Sequence, residues 1–139
     1  MKESAAVREE AKNLVVLYVE DEAETRSQVT QILQLFFKEV KTAENGKIAL
    51  DIYKENEIDL IMTDLTMPVM CGIDMIKEVK KIALHQHVVI LTAHNSSEDL
   101  METIDLQVDG FLLKPIKMDK LLELLLKVTH TINLEKKEN

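Results

Sequence analysis

The stretch NLVVLYVEDEAET, residues 13–25, decides the fold, because six apolar residues run directly into three acids. Leu14–Val19 has the composition of a strand that is buried on both faces of a sheet. Glu20, Asp21 and Glu22 follow it at once. Two carboxylates about 4 Å apart near a protein surface repel each other by roughly 4 kcal/mol. A chain with such a cluster at the end of a buried strand needs a cation to offset the charge.

The rest of the chain repeats the alternation of a short apolar run with a longer stretch of helical period. Four further runs predict strands, at residues 39–43, 58–63, 88–92 and 110–113. Apolar residues three and four positions apart predict the helices between them, and the last helix is predicted from Met118 to Thr131. The pattern predicts an α/β fold of (βα)5 type, a doubly wound parallel sheet with helices on both faces.

The composition of the chain argues against several classes of function. The chain has 139 residues and a formal charge of −8, and this acidic balance argues against direct nucleic-acid binding. No apolar run is long enough for membrane insertion. The single cysteine, Cys71, and a polar N-terminal segment without an export signal indicate the cytoplasm. We expect one domain over residues 13–131, a polar N-terminal extension over 1–12 and a polar C-terminal tail over 132–139.

Polar residues collect at the predicted strand ends, where sheets of this class bind their ligands. The first strand ends at Glu20 and Asp21, the third at Asp64, the fourth at Thr92 and the fifth at Lys114. Clustered carboxylates suit a hard divalent cation, and Mg²⁺ is the expected one. A metal beside an aspartate, a lysine and a hydroxyl predicts phosphoryl transfer, with Asp64 as the nucleophile.

The motifs VEDE, DLTMPVMCG, LTA and LLKP, in this order, resemble the receiver domain of two-component response regulators, and AENGKIAL resembles that family's turn into its second helix. The resemblance covers about residues 13–131. It implies a flavodoxin-like five-stranded parallel sheet with strand order 2-1-3-4-5. It also implies a chain that catalyses its own phosphorylation and slow dephosphorylation without acting on an external substrate.

The resemblance implies a role for each site residue. Asp64 would accept phosphate from the phosphohistidine of a sensor histidine kinase or a histidine phosphotransfer protein. Asp21 and Asp64 would bind Mg²⁺ directly, Glu20 through water and Thr66 through its backbone carbonyl. Lys114 would pair with the bound phosphoryl group.

A switch is implied as well. Thr92 would move toward the phosphoryl group and leave space for Phe111, which stands where many relatives have tyrosine. The pair would reshape the face of the fourth helix, fifth strand and fifth helix for a downstream protein target. Thr66 and His94, each two residues past a site residue, are expected to set the phosphate lifetime.

Two points stay open on the residues alone. Asp21 could instead cap the helix that follows it. On a helical wheel of the last helix, Leu122 and Leu126 fall outside the main apolar stripe, so they are either part of a wide core stripe or an exposed patch. Such a patch would serve partner docking or a homodimer.

Rival functions remain. A haloacid-dehalogenase-like phosphatase also uses an Asp nucleophile and Mg²⁺, but it needs a second acid where this chain has Thr66. A flavodoxin-like FMN protein needs a phosphate loop where this chain has acids, and a phosphorylation-independent scaffold needs none of the site residues. The chain could also be a receiver module cut from a larger regulator with an output domain.

Overall fold

The computed structural model describes residues 2–93 and 97–138, and for 97–100 the backbone alone. Five parallel strands form one sheet in the order β2-β1-β3-β4-β5, as predicted. The elements in chain order are α1 (Lys2–Ala11), β1 (Val15–Val19), α2 (Ala23–Leu33), β2 (Glu39–Ala43), α3 (Gly46–Glu55), β3 (Leu60–Thr63), α4 (Gly72–Ile82), β4 (His87–Thr92), α5 (Ser97–Asp105), β5 (Gly110–Leu113) and α6 (Met118–Glu138). The fourth and fifth predicted helices are therefore α5 and α6. In the part of the chain described, no helix combines the length and apolar character needed to cross a membrane.

Two apolar clusters cover the two faces of the sheet, because successive side chains of a strand point to opposite sides. On β1, Val16 and Tyr18 belong to a cluster that α1, α2 and α6 complete, whereas Leu17 and Val19 belong to one that α3 and α4 complete. Helices on both faces leave the strand ends as the accessible edges of the sheet.

At the amino ends of the strands, two aspartates fix the neighbouring strands. Asp59 precedes β3, and its Oδ2 accepts a hydrogen bond from the Val15 N–H at 2.8 Å. Asp109 precedes β5, and its Oδ2 accepts one from the Val88 N–H, also at 2.8 Å. Each carboxylate thereby satisfies a donor at the start of a strand next to its own.

The chain is ordered beyond both predicted domain boundaries. The N-terminal segment forms α1, in which Val7 and Ala11 are fully buried. The segment expected as a polar tail continues α6 to Glu138, so the predicted end of that helix was seven residues short. Ion pairs hold these last turns, with Lys136 Nζ 2.8 Å from Asp59 Oδ1.

The exposed patch considered for Leu122 and Leu126 does not form. Leu122 is buried with 2% exposure, and Leu126 is partly buried against the same cluster. Val7 and Ala11 of α1 belong to this cluster too, since α1 packs along α6. The helical wheel assumes that α6 is covered on one face only, by the sheet. In the structure α1 packs on a second face of α6, so a wider stripe of the helix is buried.

Candidate functional site

The acidic residues that follow the first and third strands lie together at the carboxyl edge of the sheet. β1 and β3 pair in parallel, so their ends lie side by side. One carboxylate oxygen each from Glu20, Asp21 and Asp64 lies within 4.8 Å of the other two. Glu20 and Asp64 are buried, whereas Asp21 is exposed. The three carboxylates are close enough to repel one another strongly.

Asp21 is not the cap of the helix that follows it. The N-cap position of α2 is Glu22, and its side chain makes no capping hydrogen bond. The interpretation of Asp21 as a helix cap is therefore wrong.

Lys114 lies directly after β5 and offsets part of the negative charge. Its Nζ donates to Asp64 Oδ2 at 3.0 Å and also to Glu20 Oε1. Burial raises the pKa of Glu20, although the hydrogen bond from Lys114 favours its carboxylate form. Burial also disfavours the Lys114 ammonium, but the hydrogen bonds to Glu20 and Asp64 outweigh it and raise the pKa of Lys114.

The Asp64 side chain is held from several sides. Its Oδ1 accepts the Leu65 N–H at 2.7 Å and the Thr66 N–H at 3.3 Å, while Oδ2 faces Lys114. Gly72 packs so tightly under it that a Cβ there would lie 2.2 Å from the Asp64 carbonyl oxygen. The carboxylate orientation is thus set before any ligand arrives.

The remaining candidate residues lie around this centre. Thr92 ends β4 and is fully buried, and the Thr66 side chain is exposed at the rim. Phe111 pairs in register with Ile90, and Thr92 lies two residues past Ile90, so Phe111 and Thr92 share one face of the sheet. Phe111 is partly buried against the cluster on that face. His94 lies outside the described residues.

Two further residues at the site escaped the sequence reasoning. Arg26 on α2 donates from Nη1 to the backbone oxygen of Glu20 at 2.7 Å, which ties the loop after β1 to the helix. Tyr18 is fully buried, and within the described residues its hydroxyl makes no hydrogen bond. Strand alternation could have identified Tyr18, two residues before Glu20, but no local signal marks Arg26.

The donor set fits a hard divalent cation. Three carboxylates converge, and oxygen ligands of this kind suit Mg²⁺, which also keeps coordination positions for water and phosphate oxygens. No His or Cys belongs to this group of described residues, so its chemistry does not match zinc.

Comparison with known proteins agrees with this geometry. A family model described as the response regulator receiver domain matches residues 16–126. The chain is 35% identical over 109 residues to the chemotaxis protein CheY of Bacillus subtilis (strain 168), covering 78% of this chain and 91% of that protein.

Solved structures give the same result. The chemotaxis protein CheY4 of Vibrio cholerae superposes with a TM-score of 0.77 at 32% identity, over 84% of this chain and 98% of that one. CheY in the CheX–CheY–BeF3–Mg²⁺ complex of Borrelia burgdorferi superposes with a TM-score of 0.78 at 28% identity, over 84% of this chain and 90% of that one.

Proposed function

Because the chain belongs to the response regulator receiver domain family, we propose that it is a phosphoacceptor switch in two-component signalling. Asp64 takes a phosphoryl group from the phosphohistidine of a sensor histidine kinase or a histidine phosphotransfer protein. The observation that carries this proposal is the contact between Lys114 Nζ and Asp64 Oδ2, at 3.0 Å, inside a cluster of three carboxylates.

The chemistry follows from the positions of these groups. A carboxylate oxygen of Asp64 attacks phosphorus, a new O–P bond forms, and the P–N bond of phosphohistidine breaks. The bonding electrons pass to the imidazole nitrogen, which takes up a proton. The N–H groups of Leu65 and Thr66 hold the carboxylate in position, and Lys114 pairs with the charge on the transferred oxygens. The protein acts on itself and has no external substrate.

The metal roles are part of the same proposal. Asp21 and Asp64 bind Mg²⁺ directly, Glu20 binds it through water, and Thr66 offers its backbone carbonyl. When bound, Mg²⁺ neutralises charge on the phosphoryl oxygens. The convergence of the carboxylates supports this set, as does the related Borrelia complex with BeF3 and Mg²⁺. We place the exchange in the cytoplasm, where a lone thiol such as Cys71 stays reduced.

Output is proposed through the face of α5, β5 and α6. The shared sheet face of Thr92 and Phe111 supports their coupling as a switch. Met101, Ile104 and Leu113 on this face are more than half exposed, at 67%, 63% and 52%. Such apolar exposure suits a downstream protein target or a phosphorylation-dependent homodimer. Thr66 and His94 remain the residues proposed to set the phosphate lifetime.

Acetyl phosphate tests the central claim without the cognate kinase. Wild type incubated with Mg²⁺ and acetyl phosphate should gain one phosphoryl mass in an intact-mass measurement, and Asp64→Asn should gain none. Asp51→Asn, which removes an exposed acid on α3, is the matched control and should behave as wild type. Equal labelling of Asp64→Asn and wild type would show that Asp64 is not the acceptor.

A further inference from the structure

The Tyr18 hydroxyl lies beside the site, and the proposed chemistry gives it no task. Its side chain is fully buried, and within the described residues Oη makes no hydrogen bond of regular geometry, although the Glu20 carboxylate lies close to it. A buried hydroxyl without a partner is costly to keep, because phenylalanine would fill nearly the same space without the desolvation penalty. A group of this kind is expected to gain a partner in another state of the protein.

The surroundings of Tyr18 limit what that partner can be. Tyr18 and Glu20 are two residues apart along the direction of β1, so their side chains point to the same side of the sheet. A tyrosine hydroxyl is uncharged at neutral pH, and burial among apolar side chains disfavours its ionised form. The hydroxyl therefore keeps its proton and can donate to a carboxylate.

The hydrogen bonds of Glu20 depend on Lys114. Glu20 is 1% exposed, so bulk solvent has little access to its carboxylate, and a Mg²⁺-bound water would supply only one hydrogen bond. Its Oε1 accepts from Lys114 Nζ, and its Oε2 accepts the Glu22 N–H at 3.2 Å. A phosphoryl group on Asp64 adds charge and acceptor oxygens and draws the ammonium toward itself. Glu20 then needs a second donor, since a buried carboxylate with too few hydrogen bonds is strongly unfavourable.

We propose that Tyr18 is a positioning residue for Glu20: its hydroxyl donates to the Glu20 carboxylate when Lys114 turns to the phosphoryl group on Asp64. This role rests on the proposed function. The hydroxyl then adds no stabilising hydrogen bond in the unphosphorylated protein and stabilises the phosphorylated one. A hydrogen bond to a charged acceptor corresponds to at least about a tenfold change in affinity.

Two Tyr→Phe variants separate this role from a structural one. Tyr18→Phe removes the hydroxyl beside the site. Tyr53→Phe is the matched control, because its hydroxyl donates to Gln86 Oε1 at 2.8 Å, far from the acidic edge. The free energy of unfolding is measured by urea denaturation in EDTA. Binding of beryllofluoride with Mg²⁺, used as the phosphoryl mimic, is measured by NMR titration of the Leu65 amide, which donates to Asp64 Oδ1.

We expect opposite results for the two variants. Tyr18→Phe should match or exceed wild type in metal-free stability and bind beryllofluoride about tenfold more weakly. Tyr53→Phe should lose stability and bind as wild type does. A Tyr18→Phe affinity within about twofold of wild type overturns the role, and so does a metal-free stability loss as large as that of Tyr53→Phe. If wild type itself binds no beryllofluoride, the proposed function falls together with this role.

Discussion

Replacing Gly72 with alanine tests the packing that holds Asp64, the proposed phosphoacceptor, in place. A Cβ at this position would lie 2.2 Å from the carbonyl oxygen of Asp64 and 3.0 Å from the Cα of Leu65. The Gly72 N–H donates to the Leu65 oxygen at 2.9 Å, which keeps the two segments at this spacing. Both obstacles are backbone atoms, so no side-chain rotation can relieve the overlap.

The size of the overlap determines the expected cost. Ordinary van der Waals contact begins near 3.4 Å, so a gap of 2.2 Å forces the backbone to move by about 1 Å. Overpacking of this kind typically costs about 1–3 kcal/mol. Alanine gains at most about 1 kcal/mol over glycine in a helix. We therefore expect Gly72→Ala to lose about 2 kcal/mol and to phosphorylate more slowly, because the carboxylate of Asp64 moves with its backbone.

Gly110→Ala is the matched control. Its Cβ would meet Leu124 Cδ1 at 2.6 Å, which is the end of a flexible side chain and can rotate away. Its free energy of unfolding should stay within about 1 kcal/mol of wild type. Urea denaturation followed by far-UV circular dichroism gives the stabilities, and labelling by acetyl phosphate gives the phosphorylation rates. The reasoning is refuted if Gly72→Ala is as stable as Gly110→Ala and phosphorylates at the wild-type rate.

Three further predictions concern other parts of the molecule. Hydrogen bonding to Asp109 raises the pKa of His87 to about 9, above its ordinary value of 6.5. Protonated His87 therefore contributes fully to the free energy of unfolding below pH 6.5, and this contribution, at most about 3 kcal/mol, is lost as the pH rises through 9. In urea denaturation at several pH values across this range, the free energy of unfolding should change less with pH for His87→Gln than for wild type. Leu122→Ala should lower the free energy of unfolding, measured by urea denaturation, by about 2–5 kcal/mol. Leu134 is half exposed, so Leu134→Ala should lower it by less than about 1 kcal/mol. Equal losses for the two variants would contradict the packing of α1 on α6. Val69 has a φ of 68°, so Val69→Asn should raise the unfolding free energy by about 1 kcal/mol, and a decrease would argue against strain there.

The sequence was sufficient where local pattern decides the outcome. Alternation along each strand and the rule that ligands meet the carboxyl edge brought Glu20, Asp64 and Lys114 together in the prediction, and these three side chains are in contact. The sheet order was predicted through the motif resemblance. The orientation of Asp64 was not predictable, because it depends on contacts that no sequence pattern specifies: the N–H groups of the following loop, Lys114, and the close approach of Gly72 to its backbone.

The terminal helices show where local pattern fails. α1 buries only Val7 and Ala11 completely, which is too little to mark a core helix in the sequence. Its position depends on α6, where Asn133 Nδ2 donates to the Glu10 backbone oxygen at 2.7 Å. The last turns of α6 are held in the same way by distant partners, since Glu135 contacts His87 at 2.7 Å. Contacts of such long sequence separation have no signature in a short window.

The two edges of the sheet differ in how their acids are paired: the acids at the amino edge stabilise the fold, whereas those at the carboxyl edge are arranged to bind a ligand. At the amino edge, Asp59 accepts a strand N–H with one oxygen and faces Lys136 with the other, and Asp109 does the same with a strand N–H and His87. At the carboxyl edge, Lys114 forms ion pairs with Glu20 and Asp64, and within the described residues no cation forms an ion pair with the third carboxylate, Asp21. Both carboxylates at the amino edge already have their hydrogen-bond and ion-pair partners, so substitution of either one can only remove stabilising contacts. The carboxyl-edge acids keep an excess of negative charge that a bound cation relieves, so ligand binding is favourable at this edge and has no comparable driving force at the other.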